Sequence, residues 1–326
     1  MKKNSSKTII EYVLGSASIA VLLILSMILR LKSDVSIKDF LLLTALQLLI
    51  SVGAFFLIST VSKDFLTRVL GTIALISSQS VIYVFFDIKS LRHALAYGIA
   101  LVSIALALKV LHGEKKIYLY IGAVLLLSGL AYLSINDFVL AVGIIFLLFI
   151  LSKKKEWLIL SLCPLFLSIP AFVRYYLLAE RSEVYSVFYQ PIQIPSVFIY
   201  RDNLPGLGLG CCLLLIVSIY VFFINQTKDE NSFVKKSMII VGLLILLSLD
   251  IPFKNVINSL LYLRGVPVVS AFKYIEYATV LIVLLGCQAT DKIVKEEDNK
   301  LIKRYIQIFI IVLSGFAMVY TTNYLI

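Results

Sequence analysis

Residues 115–155 are KKIYLYIGAVLLLSGLAYLSINDFVLAVGIIFLLFILSKKK, two apolar runs joined by a short polar turn and closed by lysines at both ends. A helix needs roughly 17–25 predominantly apolar residues to cross the hydrocarbon core of a bilayer. The turn, Ser134–Asp137, is short enough to make the two runs an antiparallel hairpin. Lysines at both ends suit the headgroup region on one side of a membrane. The pattern therefore predicts two neighbouring transmembrane helices.

The same pattern extends along the whole chain. Hydrophobic residues make up 60% of the 326 residues and charged residues 15%, and the mean hydropathy is +0.99. A soluble domain needs far more polar surface than this. We predict an all-α, polytopic transmembrane helix bundle that forms a single integral membrane domain over residues 1–326. Its spans, about eleven, are expected at residues 11–29, 40–61, 66–86, 91–111, 117–134, 137–152, 157–177, 206–225, 236–252, 270–289 and 305–323.

The distribution of basic residues predicts the orientation. With the N-terminus inside, the inner segments hold 19 of the 30 lysines and arginines. The outer segments hold the other 11, although they include the longest loop, residues 177–205. Because cytoplasmic segments are enriched in lysine and arginine, the N-terminus is expected inside and the C-terminus outside. The net charge of +11 is spread over short loops between apolar runs. This distribution favours contact with anionic lipid, and we expect no nucleic acid as a partner.

Ionisable residues collect at the predicted outer ends of the spans. Charged groups at a membrane span are candidates for function because they are costly there. A carboxylate can act as a general base or hold a divalent metal, whereas arginine and lysine suit phosphate. The candidates, in chain order, are Asp34, Asp87, Arg92, His93, Arg174, Arg201, Arg264 and Lys273.

Structural roles compete with function at several positions. Asp34 lies in a short loop, where it can be solvated or cap the next helix. Asn136–Asp137 can cap the sixth span or contribute a ligand. Lys273 and Glu276 are three residues apart at the start of the tenth span, so they can form an ion pair on one helix face. The aromatic-rich loop 177–205 is expected to lie in the interface, as a cover for a cavity or as an anchor.

Short motifs at the starts of three predicted spans resemble segments of a known family of membrane proteins. Val266-Pro267, followed by Phe272–Tyr277 and an apolar helix, resembles the Pro…Phe-Arg-x-Pro-x-Arg/Lys-Phe element of multi-pass membrane proteins of the glycosyltransferase C (GT-C) superfold. Leu204–Gly208 and Ser90–Leu95 are similar to other segments of those proteins.

The resemblance implies a membrane-embedded glycosyltransferase that moves a sugar from a polyprenyl-phosphate-linked donor to an acceptor at the outer face. Asp34 and Asp87 would then be catalytic, and Asp87 would also bind a divalent metal such as Mg²⁺ or Mn²⁺. Arg92, Arg201 and Lys273 would hold the lipid phosphate. The partners would be membrane lipid and the lipid-linked sugar. The location would be the plasma membrane of a bacterium or archaeon.

Three other functions are also compatible with the sequence. A polysaccharide polymerase or ligase would use the long outer loop with Arg174, Arg181 and Arg201. A transporter or lipid flippase would need broken or polar helices at mid-membrane, for which Pro164 and Pro170 predict one break. A non-catalytic membrane subunit would contain no polar pocket.

Overall fold

A computed structural model describes residues 37–76, 78, 91–177, 206–224, 232–249, 256, 269 and 271–296. Every regular element in these ranges is helical, and none is a β-strand. The all-α fold class is therefore confirmed for this part of the chain. The α-helices are α1 Ile37–Ile58, α2 Phe65–Ile76, α3 Leu91–Leu111, α4 Ile117–Leu133, α5 Ile135–Leu151, α6 Cys163–Leu167, α7 Ile169–Leu177, α8 Leu209–Ile219, α9 Ser232–Ser248 and α10 Ala271–Glu296.

Two of the described helices are long and apolar enough to cross a membrane, at Arg92–Leu111 and Phe272–Lys295. The bent pair Leu158–Leu167 and Ile169–Tyr175 makes a third if it is counted as one span. These lengths indicate association with a membrane. The predicted spans 11–29 and 305–323 lie outside the described residues. The total of eleven spans and the orientation of both termini therefore stay predictions.

Helices α3 and α10 form the centre of the described bundle. Helix α3 packs against α1, α4 and α5, and α10 packs against α2, α8 and α9 as well as α5. Both sequences are apolar around much of their circumference, which is typical of a buried helix. Because α10 is enclosed on several sides, Lys273 and Glu276 in its first turns lie inside protein, whereas Arg92 at the start of α3 is exposed.

Small residues set the distance between α1 and α3. A Cβ atom added to Gly53 would lie 3.3 Å from the carbonyl oxygen of Gly98, and one added to Gly98 would lie 3.1 Å from the side chain of Leu49. Glycine at such a crossing lets two helix backbones approach closely. A larger residue at either position would push the helices apart.

The α4–α5 hairpin has the tight turn that the sequence predicts. The backbone N–H of Ser134 donates to the carbonyl of Leu130, and its hydroxyl accepts from the backbone N–H of Asp137 at 3.4 Å. Serine is a preferred N-cap because its oxygen satisfies an otherwise unpaired helix N–H. The cap of α5 is thus Ser134, and the prediction that Asn136–Asp137 forms it was wrong.

The span between residues 157 and 177 is broken, as its prolines predict. A π-helical turn at Leu158–Leu162 leads into α6, and α7 then bends away by 46°. Proline lacks a backbone N–H and crowds the preceding turn, so it kinks a helix. At the break the hydroxyl of Ser168 donates to the carbonyl oxygen of Pro164 at 2.6 Å.

Hydrogen bonds between residues near the helix ends show which of those ends lie together in the bundle. At one end, the backbone N–H of Lys63 donates to Asp291 at 3.1 Å and Lys236 Nζ donates to Ser152 Oγ at 3.2 Å. With the N-terminus inside, the predicted spans place all four of these residues at inner span ends or in the inner segments beside them. The predicted outer ends of α3, α5 and α10 meet at the opposite end of the bundle. Which end faces the cytoplasm stays a prediction.

Candidate functional site

A buried group of polar side chains joins α5 and α10 close to their N-terminal ends. Lys273 Nζ lies 2.9 Å from Asp137 Oδ1 and 2.6 Å from Glu276 Oε2, and the side chains of all three residues are 0% exposed. The hydroxyl of Tyr277 donates to Asp137 Oδ1 at 3.1 Å, and that of Ser134 donates to Oδ2 at 2.6 Å. These five residues are called the Asp137 cluster below.

Asp137 is held from three directions. As the third residue of α5 it lies where the positive end of a helix dipole stabilises an anion. The hydroxyl of Ser134 orients Oδ2, and Oδ1 accepts from both Lys273 and Tyr277. Hydrogen bonds between charged groups are the strong ones, and a buried carboxylate needs them. Both oxygens of Asp137 are therefore satisfied.

The α10 side of the cluster comes from one helix face. Lys273, Glu276 and Tyr277 are three and four residues apart, which places them side by side on a helix. The predicted ion pair between Lys273 and Glu276 is confirmed. Oε1 of Glu276, by contrast, has no hydrogen-bond partner among the described residues. Glu276 is therefore less fully satisfied than Asp137.

Helix α3 adds an aromatic wall next to the cluster. The ring of Tyr97 meets that of Tyr277 edge-on, with 6.1 Å between the ring centroids. Tyr97 is fully buried, and within the described part of the chain its hydroxyl has no hydrogen-bond partner. An unsatisfied buried hydroxyl is costly, so this group and Glu276 Oε1 are two buried oxygens that can still bind.

Arg92 and His93, at the start of α3, lie beside the same hairpin. The guanidinium of Arg92 is exposed and donates to the carbonyl oxygens of Leu133 and Tyr132, the latter at 3.0 Å. A cation at these carbonyls stabilises the C-terminal end of α4. The ring of His93 lies 6.1 Å from that of Phe272, the neighbour of Lys273. Arg92, His93 and Lys273 thus meet around one turn.

The other predicted site residues are placed as follows. Arg174 lies exposed on α7. The remaining positions fall outside the described residues, and their convergence with Arg92 and Lys273 stays a prediction; they are Asp34, Asp87, Arg201, Arg264 and the loop residues 178–205.

Three members of the site were missed or underrated by sequence reasoning. The sequence favours a capping role for Asp137, and its patterns indicate no site role for Tyr97 or Tyr277. The sequence did contain an indication of the ion pair of Asp137 with Lys273. An acidic residue at the start of one span and Lys273 at the start of another favour an ion pair, because unpaired charges are costly in an apolar medium. Local sequence does not say which helices are neighbours.

Within the described ranges, no three or more His, Cys, Asp or Glu side chains are grouped so that they could hold a metal ion. Asp87 is not in these ranges. The divalent metal at Asp87 therefore stays a prediction that follows from the resemblance.

The chain matches no family model, no curated protein and no solved structure. The GT-C resemblance rests on the motifs at Ser90–Leu95, Leu204–Gly208 and Val266–Tyr277 alone.

Proposed function

We propose that this protein is a membrane-embedded glycosyltransferase that moves a sugar from a polyprenyl-phosphate-linked donor to an acceptor at the outer face of a prokaryotic plasma membrane. The observation that supports it best is the position of the charged groups in the first two turns of α10, a helix long enough to cross a membrane. Lys273 and Glu276 follow the first residue of α10 by two and five positions, about 3 and 8 Å along the helix at 1.5 Å per residue. Helix α10 is long enough to cross a membrane, and its first turns would then lie near the headgroups, where a lipid phosphate resides.

Arg92 is the proposed phosphate contact. Its guanidinium is exposed, and a planar fork of N–H donors matches phosphate oxygens. The outer surface of α4, which ends at the carbonyls bound by Arg92, is apolar: the exposed fractions of Leu125 and Tyr132 are 62% and 45%. A prenyl chain along this surface would bring its phosphate to Arg92.

In the proposed reaction an acceptor hydroxyl attacks the anomeric carbon of the sugar. Its proton passes to a carboxylate, for which Asp34 and Asp87 are the candidates, and the bond from the sugar to phosphate breaks. The polyprenyl phosphate leaves with the bonding electrons, and the anomeric configuration inverts. Arg92, with Arg201, would stabilise the charge of the leaving group. Lys273 is buried between two carboxylates, so its proposed contribution is to hold the starts of α5 and α10 together beside Arg92.

The test uses purified protein in liposomes with radiolabelled polyprenyl-phosphate-linked glucose or mannose. Transfer should release polyprenyl phosphate and yield labelled glycan. Arg92→Ala should lower the rate at limiting donor by about tenfold or more, and Arg92→Lys should keep part of it. Asp87→Asn should abolish transfer. Lys115→Ala is the matched control, since Lys115 is exposed at the opposite end of the bundle and should leave the rate unchanged.

Failure to consume either donor in the presence of membrane acceptors would reject the proposal. An unchanged rate in Asp87→Asn would reject the role of that carboxylate alone. Extended glycans in place of single-sugar products would identify a polymerase or ligase.

Transport of a lipid-linked sugar is the second candidate, because of the 46° break between α6 and α7. Broken helices are common at the substrate sites of transporters. The same liposomes distinguish the two functions. A transporter would move labelled lipid added from outside to the inner leaflet, where periodate, which does not cross the membrane, cannot oxidise its sugar. The lipid would stay chemically unchanged, whereas a transferase would convert it.

A further inference from the structure

We infer that the Asp137 cluster binds one monovalent cation, either a proton on a carboxyl group or an alkali-metal ion. Two carboxylates, Asp137 and Glu276, face one ammonium group, Lys273, at 2.9 and 2.6 Å, and no side chain of the three is exposed. When all three are ionised, the group carries one net negative charge. The inference is independent of the proposed function.

The surroundings make that net charge costly. The neighbouring α10 residues Ile275, Ala278 and Leu281 are at most 1% exposed. Removing an ion from water is costly even after the protein relaxes, unless an opposite charge compensates it. One added positive charge would make the cluster neutral.

Glu276 is the more suitable carboxylate to receive this charge. Both oxygens of Asp137 already accept hydrogen bonds, whereas Glu276 Oε1 has no hydrogen-bond partner among the described residues. A proton would turn the carboxyl group into a donor, and an alkali-metal ion would take Glu276 Oε1 as an oxygen ligand. The hydroxyl of Tyr97, also unpartnered in the described ranges, is a further oxygen on the adjacent helix.

Other titratable groups face the cluster. Helix α3 contributes Arg92, His93 and Tyr97, and Cys211 of α8 lies near Tyr97; Tyr277 belongs to the cluster itself. The guanidinium of Arg92 is exposed and bonded to two backbone carbonyls, so it does not neutralise the buried carboxylates. His93 is a second place where a proton could reside. The test therefore needs a direct readout of the carboxyl group.

The decisive variant is Glu276→Gln, which keeps the side-chain shape and removes the excess charge. Thermal unfolding would be measured in lipid nanodiscs between about pH 5 and 9, in sodium chloride and in choline chloride. The wild type should be stabilised by protons or by sodium, and Glu276→Gln should fold and lose that dependence. Glu114→Gln is the matched control, since Glu114 is exposed at the opposite end of the bundle and should keep it.

Two readouts identify the cation. An infrared carboxylic-acid band that disappears in Glu276→Gln would identify a proton, and binding of radioactive sodium lost in this variant would identify an alkali-metal ion. The inference would be overturned if wild type and variant showed the same dependence on both cations. Should Glu276→Gln not fold, Asp137→Asn removes the same charge. It must then abolish the dependence, and a dependence kept in that variant would equally overturn the inference.

Discussion

Replacing Lys273 with methionine tests the cluster most directly. The change keeps the length of the side chain but leaves Asp137 and Glu276 as two carboxylates without their common cation. At the observed distances of 2.9 and 2.6 Å, each ion pair corresponds to a Coulomb attraction of roughly 6 kcal/mol at an effective dielectric constant of about 20. Desolvation of the charges offsets much of this. Removing one partner of a buried pair typically costs about 3–5 kcal/mol, and we expect a loss at the upper end of that range.

The assay is reversible unfolding in mixed micelles with a rising fraction of sodium dodecyl sulfate. Trp157, the only tryptophan of the chain, packs edge-on against Phe146 at 5.3 Å between ring centroids, so its fluorescence reports on the folded state. Circular dichroism provides the second probe. Coincident transitions would justify a two-state free energy.

The control is the triple variant Asp137→Asn/Lys273→Met/Glu276→Gln, which removes every charge of the cluster. Buried ion groups can often be replaced by uncharged residues at little cost. We therefore expect the triple variant to recover most of the stability that Lys273→Met loses. A single variant within about 1 kcal/mol of wild type, or a triple variant as unstable as the single, would refute the reasoning.

Two further substitutions test the helix cap at the site and the close packing of α2 against α10 elsewhere in the bundle. Ser134→Ala removes the N-cap of α5 and a hydrogen bond to Asp137, and should lower the free energy of unfolding by about 1 kcal/mol in the same assay. Gly71→Ala should cost about 1–3 kcal/mol, because its new Cβ would clash with Cys287 Sγ. Adding Cys287→Ala should relieve that clash, and Gly143→Ala, with nothing within 4 Å of the added Cβ, should leave stability unchanged or slightly raised. Equal losses in the two glycine variants, or full stability of Ser134→Ala, would contradict these assignments.

Much of the helical framework could be predicted because it depends on local composition. Helix α3 begins and ends at the predicted residues 91 and 111, and α4 ends one residue before its predicted boundary. The break near Pro164 followed from proline chemistry. The cap of α5 was assigned to the wrong residue, since Ser134 and Asn136–Asp137 are all good capping residues and only the backbone geometry selects among them.

The candidate site was predicted in part. Lys273 and Glu276 lie on the same helix, so their spacing alone predicted the ion pair that the structure contains. The partnership of Lys273 with Asp137, 136 residues earlier in the chain, could not be predicted in this way. Nor could the position of Tyr97 against Tyr277.

By itself, the sequence determined that the described part of the chain is helical and apolar, and it predicted that segments of membrane-spanning length alternate with charged connections. Bilayer thickness imposes that length on each segment separately, and each segment reports it in its own composition. Only the tertiary structure decided that α5 and α10 are neighbours and that their charged first turns face each other. Such contacts depend on which helices pack together and on how each is rotated about its axis. In an almost uniformly apolar chain, hydropathy scarcely distinguishes one helix face from another.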